Sequence, residues 1–139
     1  MSFSKYATSY KNFSVIQKIV AKACVNDIIK YENSKKVKLD KQNSQHKPKQ
    51  YNILDIGCGN GYILAEYAKH GAEVYGVDIS DTSVELTKKR FTIYGLNFNG
   101  GGVKTENAEH LPFSDHMFDC VVSMGVLHHT PNTQQAINE

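Results

Sequence analysis

Three glycines at alternate positions, Gly57, Gly59 and Gly61, lie between two acids, Asp55 and Asp78. Ile53 and Leu54 lead into the first group, and the apolar run Val74 to Val77 leads to the second. Glycines placed this way let a chain bend sharply off a buried strand, bringing backbone N–H groups and a helix N-terminus against a ligand. Asp78 follows Gly57 by 21 residues. In a βαβ unit that spacing sets a carboxylate beside the turn, where it can accept hydrogen bonds from both hydroxyls of a ribose. The chemistry is that of a cradle for a nucleoside cofactor, or, on the plainer reading, of a tight strand-to-helix turn with an acid capping the next helix.

The glycine spacing narrows the cofactor. Dinucleotide sites use GxGxxG, with the third glycine allowing close helix packing under a pyrophosphate. Here the spacing is GxGxG, and Asp55 precedes the first glycine by two positions. A carboxylate at the turn repels phosphates and suits a ligand with a cationic end. NAD is therefore disfavoured.

Residues 53–80 resemble motif I and the acidic loop of class I S-adenosylmethionine-dependent methyltransferases. Asn107-Ala108-Glu109-His110-Leu111-Pro112-Phe113 resembles the D-A-E-x-L-P-F segment of that family, and residues 118–129 resemble its fourth strand and following loop. The detail is closest to the type 11 group that includes the ubiquinone and menaquinone enzymes. The resemblance implies S-adenosylmethionine as cofactor and methyl transfer to an O, N or C acceptor, either a small molecule or carrier-bound. It also implies roles. Gly57, Cys58, Gly59 and Gly61 face the methionine carboxylate through backbone amides, and Asp55 reaches the amino group. Asp78 takes the ribose, and Ile79 offers an apolar edge to adenine. Asn107, Ala108 and Glu109 lie at the adenine, where Asn107 stands for the family's acid and accepts without charge. Ser123 and Met124 sit near the methionine part.

His128 and His129 are candidates for a general base, since imidazole titrates near neutral pH, and equally for packing or hydrogen bonding. Cys58 is a small side chain that fits the turn, with no partner to activate it. A non-catalytic module that keeps the cofactor cradle is the alternative to an enzyme.

The elements that must position these residues follow from periodicity. Strands are expected at 51–56, 73–78, 102–105 and 118–123. Helices are expected at 61–69, closed by Gly71, and at 82–94, opened by a capping box at Thr82 to Glu85 and closed by Gly95, with a further onset near Asn132. Alternating strands and helices give an α/β fold, a Rossmann-like doubly wound parallel sheet. Only its first four strands are present. Strand four is therefore expected at an open edge, a place for self-association or a partner chain, and the chain is expected to be a fragment or to be completed by a partner.

Ahead of this domain, over 51–139, residues 1–31 carry an amphipathic helix with Val15, Ile16, Ile19, Val20, Ala23, Ile28 and Ile29 on one face. Residues 32–50 are a polar basic linker. Phe3 to Ala7 with Tyr10 resemble the malonyl-carrier-protein methyltransferases of biotin synthesis, and Tyr6 and Tyr10 are either a lid over the cofactor or packing for the first helix. Residues 1–50 hold eleven lysines against three acids, and the remainder five basic residues against eleven acids. Such a basic segment is more often solvated surface than a nucleic-acid contact, and nucleic acid is not expected as a partner. Three cysteines without a CxxC pair point to neither a disulfide framework nor a metal site. No apolar run approaches the ~20 residues of a membrane helix, and residues 1–5 lack a signal-peptide core, so a cytoplasmic protein is expected.

Overall fold

The computed structural model describes residues 26–27 and 50–139. The chain divides into two units, Met1–Lys49 and Gln50–Glu139. In the first, Asn26 and Asp27 are helical and exposed. The rest of the helix expected over 12–31, the linker before Gln50, and Tyr6 and Tyr10 lie outside the described residues.

The second unit is built on four parallel strands: β1 (Asn52–Ile56), β2 (Glu73–Asp78), β3 (Gly102–Thr105) and β4 (Cys120–Ser123). Their order across the sheet is β3-β2-β1-β4. Helix α1 (Tyr62–Lys69) connects β1 to β2, α2 (Asp81–Ile93) connects β2 to β3, and α3 (Thr133–Asn138) follows β4 after a short 3-10 turn at Leu127–His129. The sequence thus winds outward from β1 to β3, then returns to place β4 on the other side of β1. In open α/β sheets the crevice at such a reversal, outside the carboxyl ends of the strands, is where ligands bind.

Local sequence explains most boundaries. α1 buries Ile63, Leu64, Ala65, Tyr67 and Ala68 on one face, and Gly71 at φ 84 stops it. α2 begins at Asp81, one residue before expectation, because Ser80 is its cap: the Ser80 side chain accepts from Ser83 N at 3.3 Å. Thr82 therefore opens no capping box. β4 joins the ladder only at Cys120. Phe118 instead packs edge-on against Tyr75 and Phe113, with ring centroids 5.1 and 4.9 Å away, and Asp119 N donates to Asn52 O at 2.9 Å.

Alternation along the strands divides the core between two sheet faces. Leu54, Ile56 and Val77 pack with Tyr75, Phe113, Phe118 and Leu127 on one face, while Cys58, Val84 and Val103 form a second cluster with Phe98. β4 pairs with β1, and no strand among the described residues pairs with its other edge, where Val121 is 55% exposed. Among the described residues no helix is long and apolar enough to cross a membrane.

Candidate functional site

At the C-terminal end of β1 the chain turns through Gly57 to Gly61 into α1. Its amides are largely spent inside the fold. Gly57 N and Cys58 N both donate to Val77 O, at 2.7 and 3.0 Å, and Gly61 N donates to Cys58 O at 2.9 Å. Gly59 N donates to Asp78 Oδ2 at 2.9 Å, while Asp78 Oδ1 accepts from Ser80 N at 2.9 Å. Of the turn amides, Asn60 N alone has no partner among the described residues. The row of bare donors expected from sequence is thus reduced to one, because a turn wedged between two elements must satisfy its own buried backbone. The N-terminus of α1 adds to that donor, since its cap Gly61 supplies no side-chain hydrogen bond.

α2 braces the turn from behind. Thr87, fully buried, donates from Oγ1 to Gly59 O at 2.9 Å, and Arg90 Nε donates to Asn60 O at 2.8 Å. Two glycines show why side chains are excluded here. A Cβ on Gly61 (φ 70) would lie 2.5 Å from Thr87 Cγ2, whereas one on Gly59 (φ 55) would meet nothing within 4 Å. Gly61 is therefore packed against α2, while Gly59 faces open space.

The two acids have separate environments. Asp55 is 3% exposed and lies in the ladder between Gly76 of β2 and Val122 of β4. Burial, and after it the nearby Asp78 carboxylate, pushes the Asp55 carboxyl up to about 7. Cys58 turns its thiol into the cluster with Val84 and Val103, and burial followed by the Asp55 charge pushes it up to about 12. A thiol so held stays protonated and is no nucleophile.

A cavity of about 220 Å³ opens beside the turn. Its floor is Ile56, Gly57 and Val77, and Asp78 and Ile79 form the rim from β2. Glu106, Asn107 and Ala108 line it from the loop after β3, and Val126, His129, Thr130 and Pro131 from the segment between β4 and α3. The volume is below the ~300–1,000 Å³ of pockets that bury a drug-sized molecule, and it suits one flat group with its sugar.

The structure thus gathers Gly57, Asp78, Ile79, Asn107, Ala108 and His129 around one cavity, with Gly59 and Gly61 in the adjoining turn. It does not bring all the expected residues there. Ser123 Oγ donates to Ile56 O at 3.2 Å and lines a separate cavity of about 740 Å³ with Leu54, Phe113 and Phe118. Met124 is 41% exposed and lines neither cavity. Asp55 and Cys58 lie beneath the turn rather than on the cavity wall. Glu109 is buried, and its Oε1 accepts from Asn132 N at 2.6 Å. Asn107 Oδ1 accepts from Glu109 N at 3.0 Å, so the side-chain oxygen expected to meet a base is already engaged by the loop's own backbone. His128 and His129 are both exposed, with ring centroids 3.8 Å apart.

Sequence reasoning missed Glu106, Val126, Thr130 and Pro131. The signal for them was positional: all four follow the carboxyl ends of β3 or β4, on either side of the sheet's reversal point.

Comparison with known proteins rests on the same segment. Residues 54–139 match a family model described as a methyltransferase domain. The chain belongs to that methyltransferase domain family. The matched span begins inside β1 and takes in every element of the site just described. Among curated relatives, the ubiquinone biosynthesis O-methyltransferase of Coxiella burnetii is 35% identical over 85 residues, covering 61% of this chain and 35% of that protein. The chain thus spans about a third of that relative's length. Among solved structures, the magnesium protoporphyrin IX methyltransferase of Synechocystis with bound S-adenosylmethionine superposes with a TM-score of 0.63 at 22% identity, covering 86% of this chain and 50% of that one. At that identity it speaks for the shared fold alone. A [4+2]-cyclase, SpnF, has a TM-score of 0.59 at 26% identity and covers 63% of this chain and 32% of that one. The methyltransferase domain fold therefore also carries a different named chemistry.

Proposed function

We propose that the 50–139 unit binds S-adenosylmethionine at the carboxyl ends of β1 and β2, and that the protein transfers its methyl group to a hydroxyl of a small or carrier-bound acceptor. One observation carries the binding half of this reading. Asp78 accepts from Gly59 N and also lines the neighbouring cavity, so a single carboxylate joins the glycine turn to a space of nucleoside size. The hydroxyl acceptor rests on the printed activity of the Coxiella relative.

In this arrangement the adenosine lies in the cavity. Asp78 accepts from the ribose hydroxyls, Ile79 covers one edge of the base, and Asn107 and Ala108 meet its polar edge. The methionine end lies over the turn, with its carboxylate toward Asn60 N and the N-terminus of α1 and its amino group toward Asp55. Ser123 and Met124 lie beyond, at the end of β4. When bound, the cofactor supplies an electrophilic methyl carbon on a sulfonium. The protein's part is to hold that carbon in line with the acceptor oxygen and to exclude water, and a base is needed only to take the hydroxyl proton. His129 lines the nucleoside cavity, which favours contact with the base over proton transfer. A cytoplasmic location goes with this reading. A second copy or partner strand along the open edge of β4 goes with it too, and light scattering across a concentration series tests that.

A module that binds S-adenosylmethionine without transferring its methyl group is the second reading, favoured by the likeness to a protein named as a [4+2]-cyclase. Calorimetry with S-adenosylmethionine and S-adenosylhomocysteine tests the common part. Micromolar binding is expected, weakened tenfold or more in Asp78→Ala; binding of neither ligand sinks both readings. Transfer of a labelled methyl group to a hydroxyl acceptor by the protein then separates the two.

A further inference from the structure

Three polar side chains are buried among the described residues: Asp55, Thr87 and Glu109. Asp55 lies in β1 just before the glycine turn, and Thr87 braces that turn from α2. Glu109 lies in the loop after β3, and a carboxylate is buried only where strong hydrogen bonds offset its lost hydration. Its bonds lead to the segment before α3 and to α3 itself. Oε1 accepts from Asn132 N at 2.6 Å, and its carbonyl oxygen accepts from Gln135 Nε2 at 2.9 Å. Gln135 Nε2 also reaches His110 Nδ1 at 3.2 Å, and Asn132 Oδ1 accepts from Gln135 N at 3.1 Å as the cap of α3. The loop after β3 and the segment before α3 are thus laced together at one residue.

The register of this lacing matters. Asn107 and Ala108, immediately before Glu109, and Thr130 and Pro131, immediately before Asn132, line the same cavity. The Glu109–Asn132 bond is therefore a tie between two segments that line it, made by residues next to the lining ones. We infer that Glu109 is a positioning residue that fixes the width of the nucleoside cavity without touching the nucleoside. The inference rests on the cofactor reading above. It predicts that reach, rather than charge, is what the position requires: a side chain that presents an acceptor to Asn132 N keeps the cavity closed, and a shorter one opens it whatever its charge.

The test compares the whole 139-residue chain with Glu109→Gln, Glu109→Asp and Glu109→Ala, titrated with adenosine and with S-adenosylhomocysteine well below the melting temperature. Glu109→Gln keeps the acceptor at full length and is expected to lose at most about threefold in affinity. Glu109→Asp keeps the charge but falls one methylene short, and is expected to lose about tenfold, as Glu109→Ala does. The loss is expected to be equal for the two ligands, since the tie acts on the nucleoside end that they share. Unchanged affinity in Glu109→Asp, a Gln variant as weak as the Asp variant, or a loss seen with S-adenosylhomocysteine and not adenosine overturns the proposal. Should Glu109→Ala fail to fold, the Gln and Asp variants decide. If the wild-type chain binds neither ligand, the cofactor reading itself has failed, and hydrogen exchange at the Asn132 amide judges the tie separately. Faster exchange in Glu109→Asp than in Glu109→Gln upholds it, and equal rates remove it.

Discussion

The two sides of the cavity are held by different means. On the β1 side, the turn's amides bond mostly to residues of the turn itself and of β2, and its exposed carbonyls are taken by Thr87 and Arg90 from a helix of 13 residues. On the opposite side, two loops are joined by side chains, Glu109 to Asn132 and Gln135 to Glu109, and the helix they lead to has six residues. The first side is a backbone structure with side-chain support. On the second, backbone bonds such as His110 N to Asn107 O and His129 N to Val126 O close each loop on itself, and side chains join one loop to the other. Substitutions on the first side should therefore cost folding stability before they cost binding, and those on the second the reverse.

The sharpest way to break this contrast lies within the turn. Gly61→Ala places a methyl group at φ 70 and within 2.5 Å of buried Thr87, whereas Gly59→Ala, at φ 55, meets nothing within 4 Å. Left-handed backbone costs an alanine ~1–2 kcal/mol, and overpacking adds ~1–3 kcal/mol. Denaturant titration is expected to show a loss of about 2–5 kcal/mol for Gly61→Ala and about 1–2 kcal/mol for Gly59→Ala. With the methionine end of the cofactor placed over the turn as proposed, the order in ligand affinity should invert among folded molecules, because the Gly59 methyl meets open space rather than α2. Equal stability of the two variants would mean that Thr87 does not brace the turn.

This is also where the sequence was most legible. The glycine spacing and the helix ends at Gly71 and Gly95 depend on residues a few positions apart, and local sterics decide them, while the βαβ connection brings Asp78 to the turn from 21 residues beyond Gly57. The sequence pattern points to Thr82 as the cap of α2, and the structure has Ser80 there instead. The extended backbone of Ser80, φ −98 and ψ 116, selects it, and Asp78 Oδ1 holds Ser80 N in place. The far side was less legible for a physical reason. Glu109 finds its partner 23 residues away, across a loop whose path depends on where β4 pairs. Its neighbours in sequence, Asn107 and Ala108, line the cavity, while Glu109 itself is buried and bonded to Asn132. Val126, Thr130 and Pro131 carry no group whose chemistry announces a site, and only the topology puts them there.

A smaller effect tests the buried side by pH. The Asp55 carboxyl, at about 7 in the fold against 3.8 for the free group, binds a proton more readily folded than unfolded between those values. As far as this group is concerned, stability should therefore be highest below about pH 3.8 and should fall as pH rises from there toward 7. The slope from one such group is at most about 1.4 kcal/mol per pH unit. Thermal melts of the ligand-free chain at pH 5 and 7.5 are expected to show this fall, and Asp55→Asn to remove it. A cation bound near Asp55 and Asp78 favours the ionised form, so S-adenosylmethionine should bind more tightly at pH 7.5 than at pH 5.5 in the wild type, with a flatter profile in Asp55→Asn. An identical pH dependence in the variant would assign the slope to other groups.

The smallest effect lies on the side-chain wall, at Asn107. Its Oδ1 accepts from Glu109 N, which directs the donor end of the amide, Nδ2, away from that bond. An adenine amino group is itself a donor and gains little from meeting another. Asn107→Asp supplies a second oxygen in the place of Nδ2, so one oxygen can keep the Glu109 amide while the other accepts from the base. Charge-assisted bonds are about twice as strong as neutral ones, but Asp78 and Glu106 on the same cavity oppose a further negative charge. The net gain for S-adenosylhomocysteine should therefore be modest, about threefold in affinity, or roughly 0.6 kcal/mol. Discrimination is the more telling readout. The inosine counterpart presents an acceptor where adenine presents a donor, so Asn107→Asp should weaken it while strengthening S-adenosylhomocysteine. If both ligands respond alike, Asn107 contributes to the loop's turn and not to reading the base.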